Sequence, residues 1–573
     1  MRVAVSDIAR ARGVRCRPVL SPHRVIGMAL AAGLAVPAHG APPDPVQLPA
    51  GGQVVGGTAR IMQSGQTLTV NQSSVKAVID WQSFNVGAAA TVNFQQPSGS
   101  SSVLNRVLDG SPSQIFGRIT APGQVFLTNP AGAYFAPGSS VEVGSLLVTT
   151  HGISNGDFLS GNLRFSRNGA TGSVINEGNI TAGLGGYVAL LAPEVRNHGV
   201  IVARIGSVVL AAGEAYELQF AEGSGLANVI VEPAAISAVV RNAGAVQAPG
   251  GLIVLSAQAA DRLVGSVVKN TGTIEARGIS TSGGKIYLDA GNGQVSVGGA
   301  VDASSVEAHG GSVQVTGERV LIEDGARISA TGATAGGSIL AGGSWQNGDA
   351  SVRQAIGAFV APTAVLDASA TQMGDGGTVV AWSAIGNPDS VTRVYGTLLA
   401  RGGPFGGNGG RIETSGHWLD TSGVRADAAA PRGLSGLWLL DPVNVTIAGA
   451  SSAGAFTSGG TTDVWTPSSS GSTILSSDIA ARLNAGTSVT VTTGSVGTDS
   501  GDITIASPVV KSAGAADVSL VFRAANSIIV NQPISNTGGT GKLNVTLDAD
   551  NDNGARNGVG SIACLLYTSD AAD

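Results

Sequence analysis

The residues best spaced to do chemistry in this sequence are Asp548-Ala-Asp550-Asn-Asp552-Asn-Gly554, whose alternating carboxylates suit calcium. The glycine falls one place late for an EF-hand loop, and Val559 stands where that loop needs glutamate. The run therefore reads as a solvated turn. Beyond residue 40 the histidines are His151, His198, His309 and His417, and none is at metal-ligand spacing from another. No G-x-S-x-G elbow or G-x-x-x-x-G-K-[ST] loop is present, and the run Gly402 to Gly410 lacks the lysine a phosphate loop requires. Carboxylates paired for glycosidic cleavage are not evident, nor is an Arg-Gly-Asp triplet. The expectation is a protein that is not an enzyme and needs no cofactor or metal.

The elements that would position any site are short and numerous. Glycine accounts for 85 of 573 residues, hydrophobic residues for 43%, aromatics for 4% and charged residues for 12%, with a net charge of -6. That much apolar content with so little charge argues against disorder, and the mildly acidic balance argues against nucleic acid as a partner. Valine, isoleucine, threonine and glycine in this mixture suit many short strands joined by tight turns.

A repeat becomes readable from residue 174. Asn176-Glu-Gly178-Asn-Ile180-Thr-Ala182 returns as Asn197-His-Gly199-Val-Ile201-Val-Ala203, as Asn242-Ala-Gly244-Ala-Val246-Gln-Ala248 and as Asn270-Thr-Gly272-Thr-Ile274-Glu-Ala276. A glycine turn and a second short strand follow each copy: Tyr187 to Leu190, Ser207 to Leu210, Leu252 to Leu255 and Lys285 to Leu288. Weaker echoes run from Val301-Asp-Ala303 to Leu398-Leu-Ala400. A period of about 20 to 30 residues means a solenoid. Alternation sends Ile180 and Ala182 to one face and Thr181 to the other. A core then closes only when coils stack about 4.8 Å apart. Asn176 and Asn197 are placed to form an amide ladder along one corner. The fold class expected is all-β, a right-handed parallel β-helix. A β-propeller is the structural alternative, but its period is longer and its aromatic signature is missing. One short helix is expected at Ser477 to Leu483, with Gly486 after it.

Arg10, Arg12, Arg15, Arg17 and Arg24 precede an uncharged run, Val25 to Val36, and then Pro37-Ala38-His39-Gly40-Ala41. This is the pattern of a cleaved signal peptide and is too short to span a bilayer. Cys564 to Asp573 (CLLYTSDAAD) resembles a translated sequencing adaptor, so the tail is expected not to belong to the protein. With Cys16 in the leader and Cys564 in the tail, no disulfide framework is expected. The expected partition is residues 1–40 leader, 41–290 N-terminal β-helical domain, 291–430 β-helical repeats, 431–563 further strand-rich repeats and 564–573 tail.

Residues 46 to 170 are the most distinctive. They include Gly65-Gln-Thr-Leu-Thr-Val-Asn71, Ile79-Asp80-Trp81-Gln-Ser-Phe84-Asn85, Val103-Leu-Asn105-Arg106-Val107 and Gly123-Gln-Val125-Phe-Leu-Thr-Asn129-Pro130-Ala131-Gly132-Ala133-Tyr-Phe135. Together these resemble, over roughly residues 46 to 290, the secretion domain of the filamentous haemagglutinin family, the exoproteins of two-partner secretion. Gly436-Leu-Trp438-Leu-Leu-Asp441-Pro442 resembles a later segment common in that family. The resemblance implies a β-helix capped at its N-terminal end and recognised by a dedicated outer-membrane barrel transporter. It also implies an extracellular product at the surface of a Gram-negative bacterium.

Asn129, Pro130 and Gly132 match the family's N-P-N-G-[IV] motif, while Ala131 and Ala133 depart from it. The N-P-N-L marker is absent, and Asn105 and Arg106 stand in its region. Asn129, Pro130, Gly132, Asn105, Arg106, Trp81, Phe84 and Asn85 are thus the secretion-motif candidates. Proline fixes φ and glycine permits positive φ, so Asn129 to Gly132 reads as a tight turn leaving a strand. Both a purely structural role and direct transporter contact stay open. Trp81 and Phe84 read as buried capping groups. The function implied is a surface adhesin or haemagglutinin that engages host or neighbouring-cell receptors or glycans. The N-terminal part of a contact-dependent inhibition toxin or haemolysin is the alternative, and a carbohydrate-active β-helix enzyme is the third reading.

Overall fold

A computed structural model of the chain describes residues 41–220, 226–260, 265–278, 283–451, 454–457, 464–467, 471–494, 499–552, 554 and 556–564. The leader expected over 1–40 and residues 565–573 of the tail lie outside the described residues. The described chain is a right-handed parallel β-helix.

Each strand is too short to bury anything alone. In Asn179–Ala182, Ile180 and Ala182 are buried while Asn179 and Thr181 are exposed. The core forms by stacking in register. Ile180 pairs with Ile201, Ile201 with Val246, Val246 with Ile274, Ile274 with Val301 and Val301 with Ile328. This first face continues through Leu366, Leu398 and Ala426. The second face stacks Tyr187–Leu191 on Ser207–Ala212, Leu252–Ala257 and Lys285–Asp289. It runs on past Leu437–Asp441 to Leu543–Asp548. The third face stacks Ser173–Asn176, Glu194–Asn197, Ala238–Asn242 and Ser266–Asn270, and reaches Trp418–Asp420. Stacking is continuous across residues 290 and 430.

The N-x-G repeat has a physical cause at both positions. Asn176, Asn197, Asn242 and Asn270 are all buried, and each amide nitrogen of the first three donates to the next amide oxygen at 2.8 Å. The expected ladder is therefore present. It is bounded by apolar rungs, Phe135 before Asn176 and Val297 after Asn270. The paired glycines form a second column. A Cβ on Gly244 would lie 2.1 Å from the Gly199 carbonyl oxygen, and one on Gly272 would lie 2.1 Å from that of Gly244. Backbones pass too closely there for any side chain.

In the first coils the first and second faces are joined without a loop. Arg118–Thr128 and Ser140–Thr149 each run through the corner, with a bulge between Val143 and Ser145 that bends the pair. The N-terminal end is closed by antiparallel strands: Gln53–Gly56 pairs with Lys76–Trp81, and Ala59–Ser64 with Thr67–Gln72.

Two additions leave the coil. Helix Asn155–Ser160 and an antiparallel sheet of Arg164–Ser166, Ala215–Phe220 and Leu226–Glu232 cover the outer surface of the second face. Phe158, Phe165, Tyr216 and Leu218 pack there against Val78, Leu104, Phe126 and Leu147, forming a second core. The expected helix near 477 spans Ser476–Asn484, with Ile479 and Leu483 buried, and packs on the first face against Arg425–Asp427 and Val509–Lys511.

Candidate functional site

The secretion-motif candidates fall into two groups joined by the first coils. Trp81 ends the strand Lys76–Trp81, where alternation directs its indole inward. It meets Phe84 edge to face, with centroids 5.5 Å apart, and both are buried. The Trp81 indole N–H donates to the Asn105 side-chain oxygen at 3.0 Å, and the Asn105 amide donates to the Phe126 carbonyl at 3.2 Å. Asn105 is 0% exposed, so its polar atoms must be satisfied internally, and this chain ties three consecutive strands together.

Arg106, one position on, points outward. Its guanidinium forms a two-point hydrogen bond with the Asp80 carboxylate at 2.8 and 2.9 Å and donates to Asn155 at 2.9 Å. It thus links the first two coils to the start of the outer helix. Lys76 donates to the carbonyls of Phe158 and Leu159 at the other end of that helix. Asn85 accepts from the Gln114 backbone N–H at 2.8 Å and fixes the path of the following coil.

Asn129 leaves the strand Arg118–Thr128 and is buried. Its amide donates to the Ser111 carbonyl and the Ser113 hydroxyl, while its side-chain oxygen accepts from Ala131 N–H at 2.9 Å. Gly132 N–H returns to the Asn129 carbonyl at 2.9 Å, closing the turn. Gly132 has φ +110°, and a Cβ there would lie 2.4 Å from the Ser173 carbonyl of the next coil. Pro130 is exposed at the apex of the turn. Among the eight candidates, only Pro130 is exposed, with Arg106 and Asn85 partly so.

Sequence reasoning missed Asp80, Asn155 and His151. His151 is buried, lies 4.6 Å from the Tyr216 ring centre with the ring planes tilted by 53°, and bonds to the Gly213 carbonyl at 3.1 Å, anchoring the outer sheet. Burial pushes its pKa down to about 4. The partners of these residues lie 26 to 65 positions away, beyond any local pattern.

The calcium-like run is engaged otherwise. Asp548 accepts from Asn551 and Arg556, which hold its carboxyl below the usual range, and Asp550 accepts the backbone N–H groups of Asn557 and Gly558. No group of three or more His, Cys, Asp or Glu side chains is placed to hold a metal among the described residues.

Residues 46–303 match the family model of the TPS secretion domain. A heme/hemopexin-binding protein of Haemophilus influenzae (strain ATCC 51907 / DSM 11121 / KW20 / Rd) is 34% identical over 252 residues, covering 42% of this chain and 27% of that protein. A second heme/hemopexin-binding protein of Haemophilus influenzae is 31% identical over 264 residues, covering 42% of this chain and 28% of its own. The chain therefore spans less than a third of the length of these relatives. The crystal structure of the HMW1 secretion domain from Haemophilus influenzae superposes with a TM-score of 0.60 at 28% identity, covering 69% of this chain and 100% of that one.

Proposed function

We propose that the TPS secretion domain formed by residues 46–303 delivers this chain to an outer-membrane barrel transporter, through which it reaches the outside of a Gram-negative cell. The observation that carries the reading is the match of this segment, joined to a capped N-terminal end and coils that stack in register. The exposed Pro130 apex and the Arg106 surface are the transporter contacts in this reading. Asn129, Gly132, Trp81, Phe84 and Asn105 shape the surface from beneath. Co-expression with a two-partner secretion transporter tests it. Pro130→Ala combined with Arg106→Ala should lower the chain in the medium at least severalfold, and by more than Asp80→Ala, which breaks the same ion pair but keeps the guanidinium. Full secretion of the double variant would remove both residues from the contact.

Once outside, the chain acts in this reading as a surface adhesin. The two relatives favour a second reading, binding of haem or haemopexin. Retention of the secreted chain on immobilised haemopexin, compared with agglutination of erythrocytes, separates the two.

A further inference from the structure

Beyond the secretion domain, one coil is longer than its neighbours. Between the strands Ser338–Ala341 and Gly357–Val360, residues 342–356 fold back over the outer surface of the second face. This flap is built in, not draped. Gln346 and Asn347 both adopt left-handed backbone, with φ 47° and 51°. The Gln346 N–H donates at 2.7 Å to Glu413, a carboxyl with 0% exposure, and the Arg411 guanidinium lies 4.7 Å from the Trp345 ring centre. Two strained residues held by a buried carboxyl point to a shape that the surrounding structure enforces.

The flap leaves a cleft of about 540 Å³ against the outward rungs of the second face. The flap side offers the exposed amides of Gln346, Asn347 and Gln354. The sheet side offers Asp441, Thr492 and Arg523, contributed by successive coils. Trp382, 3% exposed, also lines the cleft. Amides and hydroxyls both donate and accept, and the carboxyl groups of Asp441 and Asp552 face the single guanidinium of Arg523 within the same cleft. A small apolar ligand would need a mainly hydrophobic lining. A polyanion would need an excess of cations. A chain of sugar rings carries hydroxyls along both edges. Polar rungs repeating at the coil spacing of about 4.8 Å present partners to such a chain along its length.

We propose that this cleft binds an oligosaccharide, held between the amides of the 342–356 flap and the polar rungs Asp441, Thr492 and Arg523. The site lies outside the secretion domain and stands whether or not the export reading holds.

The test uses the purified full chain on an array of neutral, sialylated and uronate-containing oligosaccharides. The tightest binder is then titrated by calorimetry. Gln354→Ala and Arg523→Ala alter exposed side chains, and each should weaken binding at least tenfold with an unchanged melting temperature. Leu434→Ser, on an exposed corner away from the cleft, should bind like the parent. A folded chain that binds nothing on the array overturns the proposal. So does binding that both cleft variants leave intact.

Discussion

At the scale of single residues, the asparagine column shows how buried polarity is made tolerable. Asn197 donates to Asn242 and accepts from Asn176 in the same rung, both at 2.8 Å. Asn197→Ala would leave one donor on Asn176 and one acceptor on Asn242 without their partner. Each orphaned buried group costs about 1–3 kcal/mol, so a loss of about 2–6 kcal/mol is expected in urea unfolding. A loss below about 1 kcal/mol would show that the ladder contributes little.

Glu413 is the opposite case, an acid that burial penalises and pushes up to about 8 despite hydrogen bonds from Gln346 and Ser415. The folded chain therefore holds a proton there that the unfolded chain releases above its ordinary pKa of 4.5. Stability conferred by the protonated form is present at low pH and falls as pH rises from 4.5 to about 8, by at most about 1.4 kcal/mol per pH unit. Glu413→Gln should flatten this part of the stability profile, and its melting temperature should exceed the parent's at pH 9 by more than at pH 5. Parallel profiles would show that Glu413 does not control it. His151 carries the reverse sign: its buried neutral ring costs stability as pH falls from 6.5 towards 4.

At the scale of elements, the corner glycines set the coil spacing. Gly244→Ala would put a methyl group 2.1 Å from the Gly199 backbone oxygen, and that oxygen cannot move without its coil. Overpacking of this kind costs about 1–3 kcal/mol. Chemical denaturation should show a lower midpoint, whereas alanine at Gly185, where nothing lies within 4 Å, meets only the strain of its positive φ of 76°.

These corners were legible in the sequence because Asn, Gly and the two inward apolar residues recur together, and a repeat in sequence becomes a column in space. The turn at Asn129 to Gly132 was legible for the same kind of reason, since proline and glycine restrict and permit φ locally. The outer sheet was not. Its side chains pack on the outer surface of the second face, where inward–outward alternation is lost. Tyr187–Leu191 and Ser207–Ala212 are buried throughout. A strand apolar on both faces was the available signal that something covers it. The Arg106 bridge gave no signal at all, because Asp80 and Asn155 become its neighbours only after the coils stack.

At the scale of the whole molecule, almost every stabilising contact is made with the coil above or below. Stability of such a stack is close to a sum over neighbouring interfaces. A chain that emerges extended from a pore can therefore gain burial one coil at a time, beginning at the capped end formed by Gln53–Gly56 and Ala59–Ser64. In the export reading proposed above, each completed coil would make return through the pore less favourable and so would supply direction without nucleotide hydrolysis. Ile180 and Ile201 are adjacent rungs of the first face with 1% and 0% exposure, so aspartate at both positions would break stacking early in this sequence of events. The Ile180→Asp/Ile201→Asp chain, co-expressed with a two-partner secretion transporter, should accumulate inside the cell while its amount in the medium falls at least severalfold. Leu184→Asp alters a side chain that is 78% exposed at a corner and should be secreted like the parent. If the double variant left the cell as fast as the parent, stacking of these coils would not be what drives export, and the direction of transport would have to come from the transporter alone.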